Sequence, residues 1–300
     1  MGLEMARRFP VAAATFAEAD TALGEALSQV VFEGPADRLT LTAYTQPAIL
    51  ATSVAVWRVL AERGLAPAFV AGHSLGEYSA HVAAGTLDFD AAVRLVRNRG
   101  RYMQEVVPVG TGAMAAILGL DEQAVIEACA EAAQGEVVSP ANLNGAGQIV
   151  IAGAAAAVQR AGEQAKARGA RRVIPLNVSA PFHCALMAPA GERLAPELHA
   201  ARARDPRIPV IANVDAAPRT TAAAAVDALI RQVASPVRWE DSVRRLVADG
   251  VTTFIEVGPG TVLSGLVRKI ARDATVVSVQ GPDDLAAVEA FLPSGQAAGR

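Results

Sequence analysis

Cysteine is nearly missing from this chain: Cys129 and Cys184 are the only two among 300 residues. Two are too few for a disulfide framework, so a reducing cytoplasm is the expected compartment. Histidine is almost as scarce, with four. Histidines and cysteines never fall at metal-ligand spacing, and no metal is expected. Neither charge is in excess: 27 basic against 30 acidic residues leave a net charge of −3, spread along the chain. That argues against a nucleic-acid-binding surface. No apolar run approaches the length of a membrane span. The first residues carry no charged stretch followed by an apolar core, so no signal peptide is expected. A myristoylation signal would need Ser or Thr where Ala6 stands. Repeats and low-complexity tracts are also lacking.

What remains is an apolar-rich chain, 52% hydrophobic, long enough for one large domain or two. From Met1 to about Leu27 it is Ala-rich and helix-compatible, and Thr45 to Glu62 predicts a second helical stretch ended by Gly64. Phe69 to Ala71 reads as a short buried strand. Phe89 to Val106 predicts a helix stopped by Pro108 and Gly110. The grammar then changes. Strands are expected at Met114–Leu118, Val137–Asn142, Gln148–Ala152 and Arg172–Val178, with helices at Asp121–Ala133 and Ala154–Arg168. That βαββαβ order is ferredoxin-like, and it predicts a subdomain over 112–178 inserted into a core formed by 1–111 and 179–300. Beyond it come Pro209–Asn213, a helix around Val226–Gln232, the segments Trp239–Asp249 and Thr253–Val257, and a helix at Val262–Arg272. The fold class is α/β with an α+β insertion. The tail Pro293–Arg300 reads as frayed.

The most informative segment is Gly72-His-Ser-Leu-Gly76, which follows the strand at Phe69–Ala71 and precedes a helix-compatible stretch. Strand, turn and helix are the setting of a G-x-S-x-G nucleophile elbow. Alone the pattern is weak, since a chain of this length shows it by chance about one time in ten. In its setting, the glycines permit a sharp turn with close backbones. Ser74 is then the lifted hydroxyl, and the N–H of Leu75 lies where an oxyanion forms.

Ser74 needs a base. His81 lies on the following helix, His199 on a charged helix expected to be exposed, and His73 adjoins the serine and suits elbow support. His183, in Ser-Ala-Pro-Phe-His-Cys, follows a strand, at the sheet edge where ligand sites of α/β proteins gather. No acid is singled out by spacing, so a Ser–His dyad oriented by a neutral group fits as well as a triad.

On the helix Phe89–Val106, Ala92, Leu95, Val96, Met103 and Val106 form one apolar stripe. Arg99 falls at its centre, whereas Arg94, Arg97 and Arg101 read as solvated surface on the opposite face. A buried guanidinium must find a partner. Two readings stay open: a structural ion pair, or a fork for a substrate carboxylate.

Four blocks in order carry a family resemblance: Gly-His-Ser-Leu-Gly-Glu-Tyr-Ser-Ala (72–80), Arg-Gly-Arg-Tyr-Met-Gln (99–104), Pro-Phe-His-Cys-Ala-Leu-Met (181–187) and Glu-Val-Gly-Pro-Gly (256–260). Together they closely resemble the malonyl-CoA:acyl carrier protein transacylases, from about Phe9 to Arg272. The resemblance implies an α/β-hydrolase-like core with the ferredoxin-like insertion. It also implies malonyl transfer in fatty acid synthesis by a ping-pong reaction, with malonyl-CoA and acyl carrier protein as partners. Ser74 would be the nucleophile, His183 the base and acid, and Arg99 the carboxylate clamp. Gln232 would orient His183 through its backbone carbonyl, and Phe182 would favour malonyl over methylmalonyl groups. Met103, and Asn144 and Gln148 in a loop lining the thioester channel, complete the expected substrate set. Arg171, Arg172, Arg268 and Lys269 either meet an acidic carrier or CoA phosphates, or are ordinary surface charge. The coenzyme is a substrate, no cofactor is expected, and the chain is expected to be a monomer.

One departure stands out. Family members begin with a buried strand leading to Phe-Pro-Gly-Gln-Gly-Ser-Gln, which this chain lacks, so the first core strand is expected to be missing. Met1 then starts inside the next helix, without an N-cap residue. The glutamine of that segment supplies one oxyanion N–H in the family and Leu75 the other. Losing one such donor costs about 2.7–4 kcal/mol. The expectation is a start codon assigned too far downstream, with the activity of the 300-residue chain left open. Two alternatives to the transferase are an ester or thioester hydrolase and a silent carrier-protein-binding module.

Overall fold

The computed structural model describes residues 1–108, 110–178 and 180–292; the tail read as frayed lies outside them. The chain opens with five helices, α1 (Leu3–Arg8), α2 (Pro10–Leu23), α3 (Leu27–Glu33), α4 (Ala36–Thr40) and α5 (Thr42–Glu62). The single helical stretch expected up to Leu27 is thus corrected to two helices and the start of a third. Phe9 is extended because the following proline disfavours helical backbone in the residue before it. Gly24 then closes α2 in the left-handed conformation, at φ 65°.

β1 (Val70–Ala71) leads into α6 (Leu75–Ala83), and α7 (Phe89–Glu105) follows. Leu50 and Val54 of α5, Tyr78 of α6, and Val96 and Met103 of α7 meet in the main apolar core. Pro47 lies inside α5 and has no N–H for the carbonyl of Ala43, four residues back. Arg97 of α7 donates Nη1–H to that oxygen instead, at 3.0 Å. Its guanidinium also lies over the Tyr44 ring, 3.9 Å from the centroid, and pairs with Glu25. Reading Arg97 as solvated surface is therefore corrected: it repairs the proline gap. Arg94 and Arg101 do lie at the surface, paired with Asp90 and Glu105.

Next come β2 (Gly112–Leu118), α8 (Glu122–Ala133), β3 (Val138–Gly145), β4 (Gln148–Ala154), α9 (Ala155–Ala167) and β5 (Arg172–Pro175). Their strands form an antiparallel sheet in the order β3-β4-β2-β5. Side-chain alternation explains their almost unbroken apolar sequence. Ala115, Ile117, Ile149 and Ile151 cluster with Val125 and Ala128 of α8 and Ala157 and Ala161 of α9. Met114, Ala116, Val150 and Ala152 cluster on the other face with Cys184, and Phe182 packs against them. Both faces are covered, and the turn carrying His183 is laid on the second.

β3 and β4 run closer together than expected. Only Ala146 and Gly147 turn the chain, at φ 53° and 70°, as a two-residue hairpin requires. Asn144 and Gln148 are therefore strand residues, which corrects their placement in a loop. Gln148 pairs with Leu118 and with Gly145.

The remaining elements are α10 (Ala188–Ala200), β6 (Val210–Ile211), β7 (Pro218–Arg219), α11 (Ala222–Gln232), α12 (Trp239–Ala248), β8 (Thr253–Val257), α13 (Val262–Ile270) and β9 (Thr275–Val279). β1 lies parallel to β6, which pairs antiparallel with β7, while β8 and β9 form a separate parallel pair. β1 is half-buried, not buried as expected, because among the described residues it has a ladder neighbour, β6, on one side alone. Among the described residues no helix is long and apolar enough to cross a membrane.

Candidate active site

Ser74 sits between β1 and α6 with φ 53° and ψ −107°. A non-glycine residue held there costs about 1–3 kcal/mol, so its surroundings must fix it. They do so on both sides. Ser74 N–H donates to Asn213 Oδ1 at 2.7 Å, and Gln232 Nε2 donates to Ser74 O at 2.9 Å. Asn213 Nδ2 also donates to Gly72 O at 2.7 Å. A Cβ on Gly72 would stand 2.0 Å from the Gly76 carbonyl carbon, so glycine is required. At Gly76 a Cβ would meet nothing within 4 Å. The crowding expected at both glycines is thus confined to Gly72. Leu75 begins α6, and its N–H has no carbonyl four residues back within the helix.

Ser74 Oγ lies 2.6 Å from His183 Nε2, and His183 Nδ1 lies 3.0 Å from the Gln232 carbonyl oxygen. A carbonyl can only accept, so Nδ1 carries the proton and Nε2 is left as acceptor for the serine hydroxyl. Burial, with the Arg99 charge nearby, pulls the His183 pKa down to about 3. The neutral base form therefore dominates at neutral pH. His183 is buried, at φ 61°. With Nε2 on the serine and Nδ1 on a backbone carbonyl, the pair has the geometry of a dyad.

Arg99 is 2% exposed. Its Nη1 donates to Gln46 Oε1 at 2.7 Å, and its Nη2 to Gln232 Oε1 and to Ser74 Oγ, each at 3.0 Å. Nε is buried without a partner among the described residues. All the hydrogen-bond acceptors of this cation are neutral, so the structural ion pair left open by the sequence is not found among the described residues. Burial pulls its pKa down, while Tyr78 and Glu77 push it up.

The other expected site residues fall around this centre or away from it. His73 does not face the serine hydroxyl: its Nε2 lies 2.9 Å from Asn144 Oδ1, its ring 5.8 Å from that of Trp239. This links the elbow to β3. Burial lowers the His73 pKa. Met103 is packed in the main core, Phe182 is half-buried beside His183, and Gln148 is outside the hydrogen-bonded centre. His199 is exposed on α10, as expected. Gln46 was legible in principle, because with Leu50 and Val54 it occupies the buried face of α5, the same signal that singled out Arg99. Asn213 follows β6 at a strand end, the rule that found His183. Glu77 gave no such signal.

Comparisons with known proteins give the chain a family. The chain matches the family described as acyl transferase domain over residues 1–294. It is 52% identical over 285 residues to the malonyl CoA-acyl carrier protein transacylase of Escherichia coli, covering 95% of this chain and 92% of that protein. The protein of the same name from Bacillus subtilis is 51% identical over 286 residues, covering 95% of this chain and 90% of that one. The crystal structure of an acyl carrier protein S-malonyltransferase from Vibrio cholerae superposes with a TM-score of 0.95 at 51% identity, covering 96% and 95% of the two chains. A malonyl-transacylase in complex with a type II PKS acyl-carrier protein gives 0.93 at 49% identity, covering 95% and 93%. The elbow, the Ser74–His183 pair and the buried guanidinium thus sit in a chain that belongs to the acyltransferase domain family.

Proposed function

We propose that this chain transfers a malonyl group from malonyl-CoA to the phosphopantetheine thiol of acyl carrier protein, for fatty acid biosynthesis. One observation carries the substrate choice: a buried guanidinium whose acceptors among the described residues are all neutral, 3.0 Å from the candidate nucleophile. A malonyl carboxylate supplies the missing charge, and acetyl does not.

In this reading His183 Nε2 takes the Ser74 hydroxyl proton as Oγ bonds to the thioester carbonyl carbon. The oxyanion meets the N–H of Leu75. The C–S bond breaks, the coenzyme sulfur takes the proton from His183, and malonyl-Ser74 remains. The carrier thiol reverses these steps, giving its proton to His183, which returns it to Ser74 Oγ as the ester bond breaks. Arg99 grips the carboxylate through both halves, and the Gln232 carbonyl fixes the His183 tautomer. Phe182, Met103, Asn144 and Gln148 make up the proposed acyl and pantetheine contacts.

The fold reading is an α/β-hydrolase-like core, 1–111 and 179–300, carrying a ferredoxin-like subdomain at 112–178. The strand order β3-β4-β2-β5 supports the latter. The core strands β1 and β8 share no ladder among the described residues. The reading takes the chain as a cytoplasmic monomer without resident cofactor, nucleic-acid or membrane partner. Two free buried thiols, Cys129 and Cys184, support a reducing compartment.

Labelled malonyl-CoA and acyl carrier protein test the function. Label held on the protein and then passed to the carrier supports transfer. Release of free malonate would make the chain a hydrolase, and absence of label would leave a carrier-binding module.

A further inference from the structure

Glu77 lies one turn beyond the nucleophile, fully buried in α6. Its Oε2 accepts two hydrogen bonds, from Gln232 Nε2 at 2.8 Å and from the Asn213 backbone N–H at 3.0 Å. Its Oε1 has no hydrogen-bond partner among the described residues and lies 3.9 Å from His81 Nε2.

Both groups held by Oε2 are those that tie the elbow and the guanidinium. The Gln232 amide has one donor end and one acceptor end. With Nε2 engaged by Glu77 and by Ser74 O, Oε1 must face Arg99 Nη2, where it lies at 3.0 Å. Asn213, anchored by its N–H, spans the elbow from Ser74 N–H to Gly72 O.

We infer that Glu77 is a positioning residue for acyl loading: through one oxygen it sets the Gln232 amide orientation, and with it the aim of Arg99 at the substrate carboxylate. Without Glu77 the amide NH2 keeps only its bond to Ser74 O, and it can turn toward the guanidinium and push Arg99 off the carboxylate. A second donor group, Asn213 N–H, is left unpaired at the same time. The arrangement needs an acceptor oxygen more than a negative charge, because both bonds fall on one oxygen. Burial also pushes the Glu77 carboxyl up to about 7, despite the Arg99 and Arg219 charges that pull it down.

The inference rests on the malonyl-transfer reading. The experiment compares malonyl and acetyl transfer by the parent and by Glu77→Gln, Glu77→Asp and Glu77→Leu, with the melting temperature measured for each. Glu77→Leu should lower malonyl kcat/KM about 100-fold and the malonyl-to-acetyl preference about tenfold, since acetyl makes no use of the clamp. Glu77→Gln keeps one oxygen in place and should return both values to within about threefold of the parent. Glu77→Asp draws the carboxylate back by one methylene and should lose preference like Glu77→Leu. An unmoved preference in Glu77→Leu overturns the inference, and so does Glu77→Gln failing as badly as Glu77→Leu. If Glu77→Leu does not fold, Glu77→Asp and Glu77→Gln decide by the same criteria. A parent that transfers no malonyl refutes the functional reading; an active parent whose preference ignores Glu77 refutes only the positioning role.

Discussion

The two ends of α6 differ in how their polar groups are matched. At the first turn, Ser74 N–H, O and Oγ all have partners, drawn from Asn213, Gln232, His183 and Arg99. Further along the same helix Glu77 Oε1, Tyr78 OH, Ser79 Oγ and both His81 nitrogens are buried with no hydrogen-bond partner among the described residues. An unmatched buried group costs about 1–3 kcal/mol. The helix thus holds its reacting end in one strained geometry while its interior end is poorly satisfied. Precision is concentrated where a proton and an acyl group must move, and stability is conceded behind it.

Breaking the matched end should have the largest effects. Ser74→Ala removes the nucleophile, and malonyl transfer should fall by about 10⁴-fold or more, with no acyl-enzyme in a quench experiment. Arg99→Ala should lower malonyl loading about 10–150-fold relative to acetyl loading, the range of a charged hydrogen bond worth about 1.5–3 kcal/mol. Equal losses for the two acyl groups would remove the clamp. Gly72→Ala drives a methyl carbon to 2.0 Å from the Gly76 carbonyl carbon, and a large fall in both melting temperature and activity is expected. Gly76→Ala meets open space and adds helix propensity of up to about 1 kcal/mol, so denaturant unfolding should show it folded and at least as stable.

The unmatched end is read as pH dependence. Burial pulls His81 down to about 3, whereas an unfolded histidine titrates near its ordinary value of about 6.5. Between those values the unfolded chain binds the extra proton, so stability falls as pH falls, by at most about 1.4 kcal/mol per unit for each such group. His183 acts in the same sense. Glu77, pushed up from 4.5 to about 7, acts oppositely: its protonation favours the fold below 4.5, and that contribution is lost as pH rises through 7. His81→Leu should flatten the decline between about pH 6.5 and 4.5 in urea titrations. An unchanged slope would mean that His81 is protonated in the folded protein.

Much of the centre was legible because its signals are local. The elbow is written in five consecutive residues, and Arg99 interrupts a stripe whose period is set by one helix. The same logic would have found Gln46. The insertion was legible through its βαββαβ order of elements, but its hairpin was not, since Ala146 at φ 53° carries none of the usual Asn or Asp turn signal. Long-range matches were out of reach. Glu77 and Gln232 are 155 residues apart, and Ser74 and Asn213 139, so no periodicity connects them. Arg97 was misread because its partner is a carbonyl freed by Pro47 on another helix, a need invisible from its own face.

Ser74 is proposed to accept a carboxylate-bearing acyl group held by Arg99. Peptide-level mass spectrometry after brief exposure to malonyl-CoA tests it most directly. One malonyl group should appear on the peptide containing Ser74, be removed by added carrier thiol and be absent from the Ser74→Ala protein. A malonyl group on another residue, or a Ser74 that takes up acetyl as readily as malonyl, would contradict it.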